Sequence, residues 1–120
     1  MVTVIGFTSI SLEDAVREQL LAALNSAGQA VFPNNFQFLL RPFDPRFCSD
    51  HAQGLINAIA VIPSTTTMDE KRKLSVALHE TTVAVLGTPH NERVTILFWN
   101  YEPDCFAQDG SFGAASVEKG

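Results

Sequence analysis

The chain has 120 residues, 46% hydrophobic and 18% charged, with 13 acidic and 8 basic residues and a net charge of -5. That length sets one domain as the expectation, and the lack of any basic run argues against nucleic acid as the main partner. No apolar run approaches the roughly 18 residues of a membrane-spanning helix.

In chain order, Val2 to Phe7 is β-branched and apolar and reads as a buried first strand. It has no positive segment before it and no small-residue cleavage site after it, so it does not read as a signal peptide. Ser11 is placed to cap a helix, with Asp14 as a weaker capping-box partner. Val16, Leu20, Ala23, Leu24 and Ala27 recur at helical spacing. Gly28 is the expected stop, Pro33-Asn34-Asn35 a turn, and Phe36 to Leu40 a second strand. Pro42 to Gly54 reads as irregular.

The same order then returns. Ile56 to Ile62 reads as a strand ended by Pro63. Thr67 caps a second helix with an inner stripe at Leu74, Ala77, Leu78, Thr81 and Val85, and Lys71, Arg72 and Lys73 on its wet side. Gly87 and Pro89 end it. Arg93 to Trp99 reads as a fourth strand, and the small, polar end of the chain as loose.

Two halves therefore look like copies of one unit. Ser11-Leu12-Glu13-Asp14 is matched by Thr67-Met68-Asp69-Glu70, Phe43-Asp44-Pro45 is echoed by Tyr101-Glu102-Pro103, and Phe47 and Phe106 follow their prolines. The expected fold class is α/β: a single domain over 1–120, with repeat one at 1–54, repeat two at 55–113 and a tail at 114–120. A helix between two strands of one sheet makes those strands parallel. Two such units give a four-stranded sheet with both helices on one face. The other face would be apolar and open, and oligomerisation is the simplest way to cover it.

At Ile56 to Gly113 the residues resemble a 4-oxalocrotonate tautomerase unit: an apolar strand, TMDEKRKL opening a helix, Gly87, the strand NERVTILFW, and a loop with Phe106 and Gly110. The two-unit layout is similar to the malonate semialdehyde decarboxylase, cis-3-chloroacrylic acid dehalogenase and macrophage migration inhibitory factor branches of the tautomerase superfamily. The resemblance implies a homotrimer of β-α-β-β-α-β protomers in the cytoplasm. It also implies an amino-terminal proline, exposed by removal of Met1, acting as general base or acid, and arginines binding the carboxylate of a small carbonyl acid.

The chain departs from that pattern where the chemistry lies. Residue 2 is Val2, and Ser9-Ile10 and Thr65-Thr66 stand where the family often has Gly-Arg before each helix. If Met1 is removed, the Val2 amine is the candidate catalytic group, since an α-amino pKa of about 7.7–8.0 needs only a modest shift to serve as a base. A retained Met1 would displace the amine from the family position.

Candidate substrate-binding residues are Arg41 and Arg93, which suit a carboxylate, the loop residue His51, and Trp99 and Phe106, which with Tyr101 match the aromatic side of the family pocket. For each, a structural or solvated role competes with the functional one. Cys48 and Cys105 read as reduced, partly buried thiols. No metal-ligand spacing is present and no cofactor is implied.

Three readings follow. The first is an isomerase-like trimer with weak or altered keto-enol tautomerase activity. The second is a non-catalytic trimer that binds or builds. The third is a ferredoxin-like dimeric α/β barrel, which shares the element order but not the parallel two-copy arrangement.

Overall fold

A computed structural model describes residues 1–47, 56–87 and 94–112. The strands β1 (Val2–Thr8), β2 (Phe36–Pro42), β3 (Ile56–Pro63) and β4 (Val94–Tyr101) form one sheet in the order β2-β1-β3-β4. Helix α1 (Asp14–Val31) joins the first two and α2 (Met68–Leu86) the last two. Within each unit the strands are parallel, and the central pair β1–β3 is antiparallel, with Ile5 opposite Ile59. This is the two-copy arrangement expected from the repeats. The ferredoxin-like alternative lacks it.

Strand alternation divides the sheet cleanly. Val2, Val4, Phe36, Phe38, Ile56, Ala58, Ala60 and Ile62 are buried together with Leu20, Leu24, Leu74 and Leu78 of the helices. The opposite face carries Ile5, Phe7, Leu39, Ile59, Val61, Leu97 and Trp99. Register lines these up in rows across the four strands, Leu39-Ile5-Ile59-Leu97 and Gln37-Thr3-Val61-Trp99. Leu97 and Trp99 are 62% and 64% exposed, so the second apolar face is open in the protomer.

The helix starts differ from each other. Thr67 caps α2 with a complete capping box: its hydroxyl accepts the Glu70 N–H at 3.1 Å, and the Glu70 carboxylate accepts the Thr67 N–H at 2.9 Å. Ser11 does not cap α1. That helix begins at Asp14 after Glu13, which gives no side-chain cap. Leu12 is drawn onto the core instead. Its carbonyl accepts from Arg17 Nε at 3.2 Å, and Arg17 also pairs with Asp14 at 3.0 Å.

Gly28 does not stop α1, which runs three residues further to Val31. A Cβ at Gly28 would stand 2.1 Å from the Phe36 ring, so the glycine is a packing requirement and not a terminator. In α2 the buried stripe is Leu74, Leu78, Thr82 and Leu86. Thr82, not Thr81, is inside, its hydroxyl donating to the Leu78 carbonyl at 2.8 Å. That internal bond is what allows a threonine there. Gly87 does end α2, at φ 79°.

The loop after β4 holds structure that the hydrophobic pattern did not signal. Ala107–Gln108 and Ser111–Phe112 form a small hairpin, β5–β6, turning through Asp109 and Gly110, both at positive φ. Before it, a 3-10 turn at Pro103–Cys105 repeats the one at Pro45–Phe47 after β2, so the echo of Asp44-Pro45 in Glu102-Pro103 is structural as well. Cys105 is a free, exposed thiol, not a partly buried one. Cys48 lies outside the described residues.

Candidate active site at the amino terminus

Antiparallel pairing sets Thr3 against Val61, and parallel pairing sets Pro63 against Tyr101. Continuing that register brings Met1 to the end of β3 and beside Tyr101, the last residue of β4. The two residues bond reciprocally. The Met1 amine donates to the Tyr101 oxygen at 3.1 Å, and the Tyr101 hydroxyl donates to the Met1 carbonyl at 2.6 Å.

The surroundings hold this pair in place. The Ser64 N–H donates to the Tyr101 carbonyl at 2.7 Å, tying β4 to the end of β3. The Tyr101 ring stacks on Phe106, with centroids 5.7 Å apart and planes at 25°. On the other side, the Val2 N–H donates to the Asn35 carbonyl at 2.9 Å. Asn35 belongs to a turn fastened by Gln29, whose amide nitrogen donates to the Phe36 carbonyl at 2.6 Å and whose oxygen accepts the Asn34 N–H at 3.0 Å. The turn passes through Asn34 at φ 58°, a left-handed conformation that asparagine tolerates.

Burial lowers the pKa of the Met1 amine below the ordinary α-amino value and raises that of the Tyr101 phenol above its own. At neutral pH the phenol thus keeps its proton, and the amine has an enlarged neutral fraction. The amine gives a hydrogen to the phenol oxygen, and the phenol gives its own to the Met1 carbonyl. The nitrogen lone pair of the neutral amine is therefore not consumed by Tyr101 and is available to accept a proton.

The residues singled out in the sequence are distributed as follows. Val2 is at the core, 1% exposed, with its nitrogen engaged by Asn35. In a chain that keeps Met1, the amine at this end of the sheet is that of Met1. Phe106 is beside it through Tyr101. Trp99 lies on the open face in the neighbouring row, opposite Val61. Arg41 pairs with Phe7, six residues along β1 from Met1, which is roughly 20 Å. One protomer therefore does not bring Arg41 to the terminal amine. His51 and Arg93 lie outside the described residues.

Other described cations near loop or sheet ends already have partners. Arg46 is bound twice by Asp44, at 3.0 and 2.7 Å, and Arg17 is held by Asp14 and Leu12. A cavity of about 190 Å³ lined by Ser9, Ile10, Ser11, Leu12, Arg17, Pro42 and Phe43 lies at the opposite end of β1 from Met1. Among the described residues no group of His, Cys, Asp and Glu could hold a metal ion. None of their helices is long and apolar enough to cross a membrane.

The bond between Tyr101 and the terminus was not legible in the sequence, where Tyr101 entered as an echo of Phe43 and as one of the aromatics matching the family pocket. The signal that could have found it is register: a strand-end Tyr opposite Pro63 falls in the row reached by Met1.

No protein-family model matches the chain, and no curated protein matches it by sequence. Among solved structures it is similar to a native fused 4-OT, with 21% identity, a TM-score of 0.81, and coverage of 94% of this chain and 97% of that one. It is similar to a fused 4-OT described as a symmetric trimer, at 16% identity, TM-score 0.76 and coverage of 95% and 98%. A member of the cis-3-chloroacrylic acid dehalogenase family matches at 13% identity, TM-score 0.75 and coverage of 98% and 89%. At these identities the likeness is one of fold. The chain has the two-unit fold of the tautomerase superfamily.

Proposed function

We propose that the protein is a tautomerase-superfamily member without the amino-terminal proline, with weak or altered keto-enol tautomerase-like activity on a small carbonyl acid. The Met1 amine is its general base, replacing the secondary amine with a primary one. The observation that carries this reading is the reciprocal Met1–Tyr101 pair, which fixes a partly desolvated amine beside a protonated phenol. The amine takes a proton from the carbon or oxygen of the enol system. The phenol of Tyr101 is placed to stabilise charge developing on the substrate oxygen.

The reading includes a homotrimer, formed through the open sheet face, in the cytoplasm. Its support is the row of apolar residues Leu39, Ile5, Ile59 and Leu97, together with the trimeric state of fused 4-OT structures of the same fold. The test is turnover of phenylenolpyruvate by protein of verified intact mass, before and after blocking the α-amine. Turnover lost on blocking supports the reading, and turnover unchanged by blocking rejects it.

One observation favours a second reading, a trimer that binds without converting. The carboxylate of a carbonyl acid needs a cation, and Arg41 is at the wrong end of β1 in the protomer. That reading expects an enol acid to bind and be released unchanged.

A further inference from the structure

A secondary amine and a primary amine differ in one chemical respect that matters here. Both take up protons, but only the primary amine condenses with a carbonyl to a neutral imine. We propose that the Met1 amine forms a covalent, reversible imine with small aldehydes, with Tyr101 as the proton donor for loss of water. This inference rests on the reading of the terminal amine as the reactive group, and it names a second reaction and a substrate class for it.

The geometry carries the step. The nitrogen lies 3.1 Å from the Tyr101 oxygen, and the lone pair is not taken by the phenol, because the phenol proton is directed to the Met1 carbonyl at 2.6 Å. The nitrogen attacks the aldehyde carbon, the carbonyl π electrons go to oxygen, and a proton passes from nitrogen to oxygen to give a carbinolamine. Tyr101 protonates that hydroxyl, the C–O bond breaks, and water leaves as the C=N bond forms. The remaining N–H proton returns to the phenolate, so the phenol is regenerated and one water is produced per imine. Burial supports both roles, favouring the neutral amine and the protonated phenol.

The Met1 amine is bonded to the neutral phenol of Tyr101, on which Phe106 stacks, and Arg41, a described arginine of the open face, lies at the other end of β1. A small apolar aldehyde needs no cation to hold it. The lysine amines at Lys71 and Lys73 are on α2, Lys73 paired with Asp69 and Lys71 set over the Phe98 ring, and neither has a phenol bonded to it.

The test is trapping with propanal and cyanoborohydride at neutral pH, on protein whose intact mass confirms a free Met1. A synthetic Met-Val-Thr-Val peptide serves as the reference amine. Reduction of the imine adds the mass of the aldehyde less one oxygen atom, and peptide mapping locates it. The expected result is trapping at Met1 at least about tenfold faster than in the peptide, falling towards the peptide rate in Tyr101→Phe and in wild-type protein unfolded in urea. Trapping at Met1 no faster than in the peptide, or an enhancement that persists in urea, overturns the proposal. A phenylenolpyruvate assay on the same samples separates the two claims. Turnover without enhanced trapping rejects the imine alone, enhanced trapping without turnover upholds the imine and rejects the proton-transfer reading, and the absence of both rejects both.

Discussion

Met1 and Tyr101, at opposite ends of the β sequence and 100 positions apart, bond to each other twice. Each residue is donor in one bond and acceptor in the other, so removal of the phenol oxygen breaks both. Net contributions of about 0.5–1.5 kcal/mol per bond set the expected loss in Tyr101→Phe at roughly 1–3 kcal/mol. The Phe106 stack survives that change. Thermal denaturation checks it: a fall of several degrees is expected, and an unchanged midpoint argues that the pair does not form in solution.

The amine should titrate early. Burial lowers its folded-state pKa below that of the unfolded chain, about 8. Between the two values the unfolded chain binds more protons, so this group makes stability rise with pH across that window and lose its contribution as pH falls through the folded value. Above both values the contribution is complete. Acylation rate at Met1 against pH, in the folded protein and in a Met-Val-Thr-Val peptide, reads the shift directly. A protein midpoint at or above the peptide midpoint contradicts it.

Gly28→Ala separates propensity from packing. Alanine is better than glycine in a helix by about 1 kcal/mol, so a reading of α1 alone expects stabilisation. The new methyl would stand 2.1 Å from the Phe36 ring, and overpacking of this kind costs roughly 1–3 kcal/mol. The expected outcome is a net loss in denaturant unfolding, partly recovered by Phe36→Leu in the same chain. Simple stabilisation by Gly28→Ala contradicts the packing.

How much of this was readable beforehand depended on what each feature rests on. The four main strands and two helices follow from local periodicity and repeated punctuation, and Thr67 with Glu70 announced its cap outright. Gly28 and Thr82 were misplaced because their positions are set by contacts across the core, the ring of Phe36 and the carbonyl of Leu78. Ser11 failed as a cap because burial of Leu12 and the bonds of Arg17 fix the entry to α1 instead. Asp109-Gly110 carried a hairpin signal that two-residue strands were too short to reinforce. The terminal site needed register, which no single strand contains. Val2 was legible as a strand residue and Phe106 and Tyr101 as aromatics near the site, but the bonding of the Tyr101 oxygen to Met1 was not.

The open face gives a test of assembly. Ile59 lies at the middle of the four-strand row Leu39-Ile5-Ile59-Leu97, pointing away from the helices. Ile59→Glu leaves the protomer core untouched and places a charge at the centre of the proposed interface. Sedimentation should find trimers in the wild type and smaller species in the variant, with circular dichroism unchanged. A monomeric wild type contradicts the proposed assembly.

The most direct test of the terminal amine as catalytic base is phenylenolpyruvate turnover by protein with Met1 confirmed by intact mass, compared with the same protein after selective acylation of the α-amine and, separately, with the Tyr101→Phe variant. Weak turnover in the unmodified protein is expected, with a fall of about 100-fold or more in the Tyr101→Phe variant or on blocking the amine's proton uptake. Turnover that neither change affects, or a folded native trimer with none, contradicts it.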